Sequence, residues 1–135
     1  MNNIIQNSNF KNQNYNSKFK IDLKRRCFDF SLDVISLTDD LPKKRSAWVI
    51  ADQLIRASTS IGANLVEARA SNSRLEFKKF YEIALKSANE TIYWLELLRD
   101  AKLADSIIVE NLLEEVDEIS RMIGAGVIKL KQRNL

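Results

Sequence analysis

The chain has 135 residues, 45% apolar and 29% charged, a size and balance suited to one globular domain around a single core. Three Gly and one Pro supply too little turn chemistry for a β-sandwich or barrel. The absence of His and the single Cys27 remove imidazole acid–base chemistry, Ser-His and Cys-His nucleophile pairs, zinc fingers and intrachain disulfides. The net charge of +3, from 21 bases and 18 acids, is mild but strongly segregated along the chain.

Residues 1–17 contain seven Asn, and such a polar, low-complexity run buries too little surface to offset its ordering entropy. Residues 1–19 are therefore expected to be a disordered Asn-rich tail, ahead of a helical domain over 20–135. The sequence shows neither an apolar stretch with a cleavage site nor a run approaching the roughly 20 apolar residues of a membrane span. A cytoplasmic protein with no membrane association is the expectation.

The first helix is expected over about 20–41. Ile21, Phe28, Leu32 and Ile35, joined by Val34 and Leu37, form a broad apolar face. Pro42 stops it, because the residue before proline is pushed out of the α region. The second helix is expected over 47–71, with Ser46 as N-cap and a seam of Ala47, Ala51, Leu54, Ser58, Ile61, Leu65 and Ala68. Its alternate four and three spacing is the repeat of a bundle seam.

Ser73 and Glu76 form a capping box opening a third helix over 74–102, with Phe77, Tyr81, Ala84, Ala88, Thr91, Leu95 and Leu98 inward. A cap at Asp105 or Ser106 opens the fourth, over 106–131. Its seam is Val109, Leu112, Val116, Ile119, Ile123, Gly126 and Leu130. Four amphipathic segments with short links imply an all-α, antiparallel up-down-up-down four-helix bundle.

Two groups of polar residues stand out. Arg56, Ser60, Asn64 and Glu67 make a stripe on the second helix among small neighbours, with Glu90 on the third helix as a partner for Arg56. The stripe reads either as a polar site inside the bundle or as an ion-pair and amide network fixing helix register, the commoner use. The bases form the second group. Lys18, Lys20, Lys24, Arg25 and Arg26 open helix one, and Lys129, Lys131 and Arg133 close helix four. An antiparallel bundle places those ends at one pole, with Lys43, Lys44 and Arg45 at the other. Such rims suit phosphates held without sequence readout, although a solvated charge rim is the ordinary alternative.

Other chemistry finds little support. A di-metal carboxylate site in a bundle needs Glu-x-x-His pairs, and the acids after Glu110 read as a solvated run. Gly62, Gly124 and Gly126 all fall in helical patterns, so no glycine-rich phosphate loop exists. No metal, no cofactor and no catalytic residue are expected. Cys27 reads as a small core hydrophobe. Trp48, Trp94, Tyr81 and Tyr93 suit packing in the core or against another subunit, or stacking on bases.

The segment from Ser58 to Arg69 (Ser-Thr-Ser-Ile-Gly-Ala-Asn-Leu-Val-Glu-Ala-Arg) carries a family resemblance, with Ser73 to Phe77, Ile83 to Lys86 and Glu90 to Leu98. Together they resemble the four-helix-bundle family of 23S ribosomal RNA intervening-sequence proteins, over about residues 20–130. Gly62 and Ala68 depart from the Pro and Gly of many members. The resemblance implies an up-and-down bundle assembling as a ring-shaped homopentamer, with no established catalytic residues. It also implies a link to a similar accessory bundle of diversity-generating retroelements, which binds nucleic acid and a reverse transcriptase. Arg56, Ser60, Asn64, Glu67 and Glu90 carry over as bundle-fixing groups. The expected function is a non-enzymatic, self-associating bundle binding RNA or DNA through basic rims. The alternative is an adaptor whose acidic fourth helix docks a basic partner such as a nucleic-acid-processing enzyme.

Overall fold

The computed structural model describes residues 23–132. The expected tail over 1–19, and with it Lys18 and Lys20, lies outside the described residues, as do Ile21 and Arg133. Among the described residues four helices follow in order: α1 Leu23–Asp39, α2 Arg45–Arg69, α3 Arg74–Asp100 and α4 Ser106–Gln132. Each packs on its chain neighbours, α4 returns to α1, and no diagonal pair touches. This is the arrangement of an antiparallel up-down-up-down bundle, and the described residues contain no strand.

The core is the inward seam of each helix. All seven expected seam residues of α2 are buried, with Ala57 beside them, as are Ala84, Ala88, Thr91, Leu95 and Leu98 of α3. Phe77 and Tyr81, at the open end of the α3 seam, are half-buried and stack with ring centroids 4.9 Å apart. On α4 the seam follows expectation to Ile123 and then moves to Val127, leaving Gly126 under the Tyr81 ring. α1 and α2 approach closely where Gly62 faces Cys27, since a Cβ on Gly62 would lie 3.2 Å from the Cys27 Cβ.

Helix one departs from the sequence reading. Cys27, Phe30, Val34 and Leu37 take the core, while Phe28, Leu32 and Ile35 face outward at 57%, 47% and 40% exposure. Both sets have helical spacing, so α1 carries two apolar stripes on opposite sides, and only one can meet the bundle axis.

The helix ends show where backbone groups find partners. α2 starts at Arg45, with Lys44 rather than Ser46 in the N-cap position and no side-chain cap. The turn after Pro42 sets this, because the Lys44 N–H donates to the Pro42 carbonyl and the Lys44 carbonyl accepts the Trp48 N–H. Ser73 Oγ accepts the Glu76 N–H at 3.1 Å, and the Glu76 carboxylate accepts the Asn72 N–H rather than that of Ser73. At α4 the cap is Asp105, whose carboxylate accepts from Ile107 and Ile108.

Candidate nucleic-acid interface

The up-down topology brings the start of α1, the α2–α3 turn and the end of α4 to one pole. There a groove of about 400 Å³ is lined by Arg69, Ser71, Asn72, Arg74, Phe77 and Leu130, among others. Arg69 ends α2 and Arg74 begins α3, both exposed, so the hairpin turn presents a guanidinium on either side of Ser71-Asn72-Ser73. Leu130 brings the end of α4 into the same groove, and the exposed Lys129 and Lys131 flank it in sequence. Lys24 and Arg25 are exposed at the start of α1. The acid in the turn, Glu76, is occupied with the Asn72 N–H.

Arg26 does not belong to this rim. Its side chain is 11% exposed and turns to α4, where Nη2 meets Glu115 at 2.7 Å and Glu118 at 3.1 Å. Nη1 also donates to the Met122 sulfur at 3.3 Å. Burial alone would lower the guanidinium pKa, but hydrogen bonds and charge from Glu115 and Glu118 outweigh it and hold the group above its ordinary value. The acidic run after Glu110 is solvated at Glu114 and Glu118, as expected, but Glu115 departs from it, with its side chain only 18% exposed. Arg25 is also partly engaged, pairing with Asp29 at 3.2 Å and lying over the Phe28 ring.

The opposite pole is electrically mixed. Lys43, Lys44 and Arg45 are exposed on the α1–α2 link, near exposed Asp39 and Asp40. Asp40, Lys102 and Asp105 line one groove there, which joins that link to the α3–α4 link. Nearby charges of both signs weaken the field available to a polyanion. The pole with Arg69, Arg74, Lys129 and Lys131 is the stronger candidate. Sequence reading passed over Arg69 and Arg74, although two arginines bracketing a hairpin turn must sit at the pole shared by both chain ends.

The polar stripe divides into separate parts. Arg56 pairs with Glu90, and Glu90 also accepts the Trp94 indole N–H at 2.9 Å. This pair lies at the surface, with Arg56 58% exposed, rather than inside the bundle. The Trp94 hydrogen bond, with Arg56 adding to it against partial desolvation, holds the Glu90 carboxyl below the usual carboxylate range. One helical turn further on, Ser87 donates to Ser60, and the Asn64 amide donates to the Ser60 hydroxyl and carbonyl. Glu67 is exposed and stands apart from both groups. Among the described residues, no group of three or more Cys, Asp and Glu side chains converges as a metal site would require. No described helix is long and apolar enough to cross a membrane.

The profile of the 23S rRNA-intervening sequence protein family matches residues 20–125. The chain belongs to that family. The 23S rRNA-intervening sequence assignment agrees with a similar solved structure, a protein of unknown function from the S23 ribosomal protein family of Bacteroides thetaiotaomicron. That structure shares 33% identity with a TM-score of 0.73, covering 78% of this chain and 97% of its own. No curated protein matches the chain. The 23S rRNA-intervening sequence family match spans all of α1, α2 and α3 and stops within α4, ahead of Gly126 and the basic residues that follow it.

Proposed function

We propose that this member of the 23S rRNA-intervening sequence protein family is a non-enzymatic bundle that self-associates and binds RNA or DNA electrostatically. The observation that carries the reading is the gathering of Arg69 and Arg74 with the Lys129–Lys131 end of α4 around one groove. Guanidinium and ammonium groups on a rigid scaffold hold phosphates without reading bases, so affinity is expected to be broad across sequences and steeply salt-dependent. Self-association is supported by large apolar side chains left in water, among them Phe28, Trp48, Tyr93 and Ile128, each more than half exposed. The homopentamer is the assembly that the family resemblance implies.

The test is binding of a structured RNA and a DNA duplex across a salt series. The expected result is a fall in log affinity with log salt of about −0.9 per neutralised duplex phosphate. Arg69→Gln with Arg74→Gln is expected to weaken binding and flatten that slope while leaving the melting temperature unchanged. No binding at low salt, or binding indifferent to these changes, overturns the reading. A salt-insensitive complex with another protein in its place is the signature of the adaptor alternative.

A further inference from the structure

The groove at the basic pole has an aromatic wall as well as a charged rim. Phe77 lines it, half-buried, and stacks on Tyr81 with ring centroids 4.9 Å apart and planes 22° from parallel. Tyr81 in turn is backed by α4, because a Cβ on Gly126 would stand 2.9 Å from Tyr81 Cε2. The Phe77 ring is therefore braced by a neighbour that has little room to move. Leu130 adds apolar surface to the same groove from α4.

The charges beside this ring are uncommitted. Arg26, Arg56, Arg99 and Arg121 are each held by carboxylates. Arg69 and Arg74 have no ion-pair partner among the described residues, and both are exposed. No carboxylate lines the groove; the nearest acids in sequence are Glu67, exposed on α2, and Glu76, occupied with the Asn72 N–H. Other surface aromatics are placed differently. Tyr93 packs edge-on against Trp94, which donates to the Glu90 carboxylate, and Phe28 lies under Arg25. A carboxylate beside the rings repels phosphate, whereas Phe77 shares its groove with two unpaired guanidiniums.

We infer that this groove takes an unpaired stretch of nucleic acid, with a base laid against the Phe77 ring and the flanking phosphates on Arg69 and Arg74. This rests on the electrostatic-binding reading and narrows its ligand from any polyanionic nucleic acid to a strand with exposed base faces. A duplex keeps its base faces inside its own stack and offers a protein only phosphates and base edges. An unpaired strand offers the same charge together with a flat apolar face, which is what a braced ring between two guanidiniums can hold. Stacking tolerates any base, in keeping with a rim that holds phosphates without reading sequence.

Three probes with equal numbers of phosphates test this on the full chain: a thymidine oligomer, the same backbone with abasic sites in place of its bases, and a DNA duplex. At one salt concentration, wild type is expected to bind the thymidine oligomer about tenfold tighter than the abasic strand. Phe77→Leu is expected to abolish that preference while leaving abasic and duplex binding unchanged, with circular dichroism checking the fold. Phe77→Trp is expected to keep the preference, its added indole emission quenched by the thymidine oligomer and not by the abasic strand. The native Trp94 lies about 25 Å further along α3, and Trp48 is near the start of α2 at the other pole, so neither reports on this groove. Equal affinity of wild type for thymidine and abasic strands overturns the inference and leaves the electrostatic reading standing. A preference that survives in Phe77→Leu, or emission of Phe77→Trp that the thymidine oligomer does not change, overturns the assignment to this groove. If Phe77→Leu fails to fold, the emission of Phe77→Trp decides. No binding of any probe at low salt overturns the electrostatic reading itself, and with it this inference.

Discussion

Arg26 Nη2 and Glu115 Oε1 lie 2.7 Å apart between α1 and α4, with 11% and 18% of their side chains exposed. This pair ties α1 to the far end of the chain, across a face where apolar packing alone would leave a guanidinium stranded. Removing one partner of a largely buried pair leaves the other desolvated and uncompensated. Arg26→Met is therefore expected to destabilise the fold by about 3 kcal/mol. Adding Glu115→Leu is expected to recover most of that loss, since Glu118 is 57% exposed and can turn to water. Urea titrations of wild type, single and double variants decide it; equal losses in single and double variants would show that packing, not charge pairing, dominates here.

Gly124 and Gly126 sit two residues apart on α4 and are expected to respond oppositely to alanine. A Cβ on Gly124 meets nothing within 4 Å, so Gly124→Ala is expected to gain about 1 kcal/mol from helix propensity. A Cβ on Gly126 would fall 2.9 Å from Tyr81 Cε2, and the stack of Tyr81 on Phe77 restricts how that ring can give way. Gly126→Ala is expected to lose about 1 kcal/mol net, overpacking outweighing propensity. Thermal melts should rank Gly124→Ala above wild type and wild type above Gly126→Ala.

Legibility in the sequence followed how many answers each segment allowed. The α2 seam offered one apolar face, and Ala47, Ala51, Leu54, Ser58, Ile61, Leu65 and Ala68 are all buried. Helix one offered two faces, and periodicity does not say which of two stripes meets the bundle axis. Leu32 and Val34 look equally suited to the core until the positions of α2 and α4 are known. Arg26 was misplaced for a related reason: beside Lys24 and Arg25 it reads as rim, and its partner Glu115 is 89 positions away. The Arg56–Glu90 pairing was legible from helical spacing, but its exposure was not, because the small residues around Arg56 suggested a closer helix approach than that edge has.

Glu90 supplies a prediction in pH. Its carboxyl is held below its ordinary value in the folded state, so the folded protein favours the charged form. That contribution is present above the unfolded-state value of roughly 4.3 and is lost as pH falls through the lower folded-state value. The side chain is 37% exposed, so solvent screening keeps the contribution to under about 1 kcal/mol. Glu90→Gln is expected to destabilise slightly at pH 7 and to show a shallower loss of stability as pH falls below roughly 4.3. Trp94 fluorescence followed through an acid titration should shift over the same range in wild type and not in the variant, because Trp94 Nε1 donates to this carboxylate.

The end of α3 stores backbone strain at a residue poorly suited to it. Lys102 has φ 59°, in the left-handed region, directly after the last helical turn. The Lys102 N–H donates to the Arg99 carbonyl and the Leu103 N–H to the Leu98 carbonyl, both at 3.0 Å. This paired closure is a Schellman turn, in which glycine is the usual left-handed residue. Leu103 packs against the core that contains Leu98, so the turn is fixed by burial as well as by hydrogen bonds. Lys102→Gly removes the Cβ strain, and the added freedom of glycine in the unfolded chain offsets part of the gain, leaving a net stabilisation of about 0.5–1 kcal/mol. Lys102→Val, β-branched at the same φ, is expected to destabilise. Reversal of that order in chemical denaturation would mean that the Lys102 side chain, rather than the backbone turn, holds the α3–α4 link.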